Sequence, residues 1–95
     1  MAVIETTTFR LADGIDEATF LEADEEIRTG FLYQQAGMAR ATTGRGDDGE
    51  WIIVVVWATK AEADAAARAA ADNPAAQRFS QMAVAPAKKR YHTLD

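Results

Sequence analysis

Cysteine is absent from the 95 residues, which excludes disulfide staples, iron–sulfur clusters and thiolate-bound zinc. A single histidine, His92, leaves any metal site to be built from carboxylates. No ligand spacing for such a site occurs, so neither a metal nor a cofactor is expected. No apolar stretch approaches the ~20 residues that a membrane span requires. The start, Met1-Ala2-Val3-Ile4-Glu5, has no basic region leading into an apolar run. A soluble cytoplasmic protein with no membrane partner is therefore expected. Positive charge is scarce too: Lys and Arg number 10 against 15 Asp and Glu, for a net charge of −5. Nucleic acid is excluded as a partner, because binding it requires a basic surface that releases counterions. The short run Lys88-Lys89-Arg90 reads instead as a charged edge strand protected from aggregation.

What the chain does have is Trp51-Ile52-Ile53-Val54-Val55-Val56-Trp57, an apolar run without a polar break. β-branched and aromatic residues dominate it, and it is too short for a buried helix, so it is predicted as a strand. Alternation places Trp51, Ile53, Val55 and Trp57 on one face and Ile52, Val54 and Val56 on the other. A strand apolar on both faces needs cover on both sides, as a central strand does.

The rest of the chain arranges itself around that strand. Residues 3–11 form a first strand, with Val3, Glu5, Thr7, Phe9 and Leu11 on one face and Ile4, Thr6, Thr8 and Arg10 on the other. A helix over residues 16–35 follows, its apolar stripe made of Phe20, Ile27 and Phe31 with Ala23 beside it. Asp13 or Asp16 caps its start. Glu22, Asp24, Glu25 and Glu26 are read as a solvated face, with Asp24 and Arg28 spaced i,i+4 for a weak pair. A polar edge strand over residues 38–45 and the turn Gly46-Asp47-Asp48-Gly49 lead into the central strand. Thr59 with Glu62 makes a capping box for a helix over residues 60–72, rich in alanine at positions 61, 63, 65, 66, 67, 69, 70 and 71. Such a helix lies flush on the sheet or leaves a space that something else fills. Asn73-Pro74 caps a short helix ending near Met82, and residues 88–94 make the last strand.

Strand, helix, strand, strand, helix, strand is the α+β, ferredoxin-like βαββαβ order, with a four-stranded antiparallel sheet and helices on one face. Residues 1–95 form one domain. A chain of this size buries only roughly 60–65% of its unfolded surface, so a supplement to its core is expected. A second copy of the chain across the open sheet face is the simplest one, and a homodimer is expected.

With Ala36-Gly37-Met38 between first helix and second strand, and Val55-Val56-Trp57-Ala58-Thr59 followed by Glu62, the chain resembles the dimeric α+β barrel superfamily. Within it, the antibiotic-biosynthesis-monooxygenase-like proteins are the nearest in pattern, over nearly the whole length. The superfamily includes cofactor-independent monooxygenases acting on aromatic polyketides, haem-degrading enzymes, isomerases and small members without assigned activity. The haem-degrading branch uses an asparagine in the first strand, and a tryptophan and a histidine further on. Thr7 and alanines near Ala66 and Ala76 stand there instead, so haem degradation is not expected.

Two readings of function remain open at this stage. In one, a mostly apolar pocket between sheet and helices, with Thr7, Phe9 and Trp57 in its wall, holds a small hydrophobic or aromatic metabolite. Its enzymatic form is a cofactor-independent monooxygenase in which Glu5 or His92 removes a proton from the substrate. In the other, the chain is a structural or accessory dimer without a pocket, its alanine helix packed flush.

Overall fold

The computed structural model describes residues 1–94. Its sheet has the order β2-β3-β1-β4, built from β1 (Val3–Leu11), β2 (Met38–Arg45), β3 (Trp51–Trp57) and β4 (Ala83–His92). All neighbouring strands are antiparallel. β3 and β1 are central, as the unbroken apolar run requires, and the polar β2 and basic β4 are the edges. The α+β, ferredoxin-like arrangement expected from the sequence is the one observed.

Three helices lie on one face: α1 (Glu17–Gly30), α2 (Lys60–Ala70) and α3 (Pro74–Met82). Each starts on a side-chain cap legible in the sequence. Asp16 accepts from the Thr19 amide at 2.8 Å, Thr59 from the Glu62 amide at 3.2 Å, and Asn73 from the Ala76 amide at 3.1 Å. The Thr19 bonds hold the Asp16 carboxyl below its ordinary pKa. None of the helices is long and apolar enough to cross a membrane.

Two boundaries differ from the sequence reading by more than two residues. The first helix does not run to residue 35: it ends at Gly30, and a 3-10 turn, Leu32–Gln34, follows. Glycine weakens a helix at that point, and the break lets both Phe31 and Leu32 turn inward, where they are buried. The last strand begins at Ala83, not at residue 88. Pro86 does not block it, because it falls in an irregularity of this edge strand, where neither Ala85 nor Pro86 has a paired residue on β1. Ala85, with a left-handed φ of 51°, sits in this stretch, and the pairing register with β1 shifts between Thr8 and Arg10.

The helix-facing side of β1 and β3 has three zones. At one end Val3 pairs with Trp57, and at the other Phe9 pairs with Trp51. Glu5 opposite Val55 and Thr7 opposite Ile53 fill the middle rows. Each end is a core cluster. Val3 and Trp57 pack with Phe31, Leu32, Val55, Ala63 and Ala66, while Phe9 and Trp51 pack around Phe20. In the second cluster the rings of Phe20 and Trp51 lie 4.7 Å apart, and Phe79 of α3 is 5.4 Å from Phe20 and 5.5 Å from Phe9. The opposite side of the sheet carries Ile4, Ile52, Val54 and Val56, all half-buried.

Candidate functional site

Between the two core clusters the middle rows of the sheet, Glu5, Thr7, Ile53 and Val55, line an open space. A cavity of about 720 Å³ opens there, walled by the sheet, α1, α2 and α3. Its origin is the alanine content of α2: Ala63, Ala66, Ala67 and Ala70 line it and offer only a methyl group each. Of the two alternatives that the alanine helix left open, close packing or a space, the structure has the space. Alanine removes side-chain volume, and the large rings of Trp57 and Phe79 also stand in the lining.

Into this mostly apolar wall the chain brings a few polar groups. Asp24 of α1 is 1% exposed. Thr43 Oγ1 of β2 donates to its two carboxylate oxygens at 3.0 and 3.1 Å, and Arg28 Nη2 lies 3.2 Å from Oδ2. Burial pushes the Asp24 carboxyl above its ordinary pKa, against the opposing pull of Thr43 and Arg28. Arg28 also lines the cavity, and its Nε is buried with no hydrogen-bond partner. The Trp57 Nε1 is likewise buried and unpaired. An orphaned buried N–H costs about 1–3 kcal/mol, so the residues of the wall carry two unsatisfied donors, one of them on the side chain paired with the buried acid.

A second polar group stands on the β1–β4 side. Glu5 Oε2 accepts from Arg90 Nε at 2.8 Å, and Lys88 Nζ lies 3.9 Å from Oε1. Arg90 also pairs with Asp64 of α2, which in turn takes Lys60 at 3.0 Å. The hydrogen bonds that Arg90 and Lys60 donate lower the pKa of Asp64, and those that Arg90 donates to Asp64 and Glu5 raise its own.

The structure brings Glu5, Thr7 and Trp57 to the cavity wall together. Phe9 is not in the wall: it is 2% exposed within the aromatic cluster. His92 lies outside the cavity lining, exposed at the far end of β4 and opposite Val3. Asp24 is where the reading of a solvated acidic face is corrected. Glu22 and Glu26 do face outward and both pair with Arg78 of α3, but Asp24 points into the core. The signal was its spacing, four residues after Phe20 and three before Ile27, which puts it on the apolar stripe. Among the described residues, no group of three His, Asp or Glu side chains is placed to hold a metal ion.

No protein-family model matches the sequence, and no curated protein matches it. Solved structures do match in shape. A variant of SnoaB, a cofactor-independent oxygenase from Streptomyces nogalater, superposes with a TM-score of 0.83 at 17% identity, covering 99% of this chain and 94% of that one. A candidate antibiotic biosynthesis monooxygenase from Bordetella bronchiseptica gives 0.80 at 16% identity, over 98% and 97% of the two chains. Rv0793 from Mycobacterium tuberculosis gives 0.74 at 14% identity, over 100% and 97%. At such identities the likeness shows the fold. The chain has the α+β fold of the monooxygenase-like proteins that its sequence resembles.

Proposed function

We propose that this chain binds a planar, largely apolar aromatic metabolite in the cavity and oxygenates it with dioxygen, using no cofactor. The observation that carries the reading is the 720 Å³ cavity itself, with its apolar wall and the single buried acid Asp24 beside Arg28. Small-molecule sites have this composition: an apolar enclosure with a few converging polar groups. The shared fold with a cofactor-independent oxygenase supports the same reading.

The chemistry asks little of the protein beyond position and a proton acceptor. An anthrone-type substrate has an acidic C–H next to its aromatic rings. Asp24 takes that proton, for which burial suits it, and the electron pair stays delocalised over the rings. One electron passes to dioxygen, and the radical pair joins as a carbon–oxygen bond. The resulting peroxide takes up the proton and loses water, leaving a carbonyl, so one dioxygen turns a CH₂ into C=O plus water. Glu5 is the other carboxylate of the wall and is held by Arg90. His92, exposed beyond the cavity lining, takes no part.

The working unit in this proposal is a cytoplasmic homodimer. Ile4, Ile52, Val54 and Val56 form an apolar patch on the sheet face that no helix covers, and an isologous partner would complete its burial.

Oxygen consumption with dithranol and related anthrones and quinols, in the presence of a chelator, tests the activity. The expected result is saturable uptake of one dioxygen per substrate. No uptake above buffer across that panel would overturn it.

A further inference from the structure

Arg28 is the one cation of α1, and it stands in the wall of the cavity. Asp24 is the only side chain paired with it among the described residues, and only through Nη2. That carboxylate is shared, because Thr43 donates to both of its oxygens. A guanidinium has five N–H donors in a planar fork and no means of losing its charge. Asp24 therefore fixes Arg28 without exhausting it. The other cations near the cavity are matched differently: Lys88 and Arg90 both face Glu5, and Arg90 faces Asp64 as well. The cavity that Arg28 lines is mostly apolar elsewhere, with Ile27, Phe31, Ile53 and Val55 in the same wall.

We infer that Arg28 is the anchor for a carboxylate carried by the aromatic ligand, and that Asp24 and Thr43 are the residues that position it. This rests on reading the cavity as an aromatic-metabolite site. A carboxylate matches the guanidinium fork with two charge-assisted hydrogen bonds, and a ligand seated in the cavity adds its own apolar rings to the cover over them. A neutral ligand of the same shape forms the same ring contacts and lacks the charge. The cavity thus selects acidic polycyclic compounds over their neutral analogues.

Fluorescence titration with two probes, anthracene-9-carboxylate and anthracene-9-carboxamide, separates anchor from cavity. Near neutral pH the carboxylate is ionised and the amide is not. The protein is compared with Arg28→Lys and with the double variant Asp24→Asn/Arg28→Met, which removes both charges so that neither is left buried alone. The wild-type chain is expected to bind the carboxylate about tenfold more tightly than the amide. The double variant loses that preference while its affinity for the amide changes by less than about threefold, and Arg28→Lys keeps part of the preference. Equal wild-type affinities, or a preference that survives in the double variant, would overturn the anchor and leave the cavity reading standing, since the amide still binds. If neither probe binds, both readings fall together.

Discussion

The Thr43 hydroxyl on β2 donates to both carboxylate oxygens of Asp24 on α1, at 3.0 and 3.1 Å. One side chain thereby satisfies a buried acid and fastens the first helix to the edge strand. Thr43→Val keeps the shape of the residue and removes the donor, leaving the acid with Arg28 alone. The loss is expected to be about 1–3 kcal/mol of unfolding free energy, as for any buried group deprived of its partner. Urea denaturation measures it, and a value near zero would mean that the bond carries no stability.

The same acid makes stability depend on pH in a direction opposite to most carboxylates. Its folded pKa lies above the ordinary 3.8, because burial dominates. The folded chain therefore holds this proton more tightly than the unfolded chain, and its ionisation costs stability as pH rises from about 3.8 through the raised value. Asp24→Asn has no such proton to lose. The melting temperature of the variant relative to the wild type should climb across that window and then level off. Thermal melts of both proteins at a series of pH values check this, and a flat or falling difference contradicts it.

Gly37 and Glu62 belong to the pattern on which the resemblance to the monooxygenase-like proteins rests, and the structure shows why they go together. Gly37 has a φ of 80°, and a Cβ there would fall on the Glu62 carboxylate. Its carbonyl accepts from the Ala58 amide at 2.7 Å, just beyond Trp57. Glu62 is held there by Thr59 Oγ1, 3.0 Å from its Oε1. Gly37→Ala is expected to cost about 1–2 kcal/mol from the left-handed backbone alone, plus the displacement of Glu62. In a double-mutant cycle with Glu62→Ala the steric part should disappear and the backbone part remain. Full recovery in the double variant would show that the backbone carries no strain.

The homodimer is tested on the open sheet face. Val54→Arg puts a charge in the middle of the apolar patch formed with Ile4, Ile52 and Val56. Light scattering after size exclusion should find the wild type as a dimer and this variant shifted to monomer. A wild-type monomer, or a dimer indifferent to the arginine, would remove this face as the interface.

Much of this was readable in the residues because local chemistry decided it. The Thr59–Glu62 box, Asn73-Pro74 and the apolar run 51–57 have no competing interpretation, and all three appear in place. The start of β4 was not readable, since a proline in a strand argues against pairing unless the strand is known to be an edge. That is a property of topology, which no local window contains. Asp24 was hidden by its company: Glu22, Glu25 and Glu26 around it made a solvated face the economical reading, although its own spacing placed it on the apolar stripe. The alanines of α2 announced either a close helix or a space. The choice between them depends on how the helices sit on the sheet, which no local window contains, and the cavity lined by those alanines decides for the space.

The central claim is that chemistry takes place in the space those alanines leave. Ala66 is 4% exposed and lines the cavity, so Ala66→Leu fills part of it while adding only apolar volume. The direct measurement is the rate of dioxygen consumption with dithranol for wild type and Ala66→Leu, both checked for folding by circular dichroism. The account predicts a saturable wild-type rate and a loss of about tenfold or more in kcat/KM in the variant, corresponding to ~1.4 kcal/mol of transition-state stabilisation. Equal rates in two folded proteins, or no rate above buffer in the wild type, would contradict it.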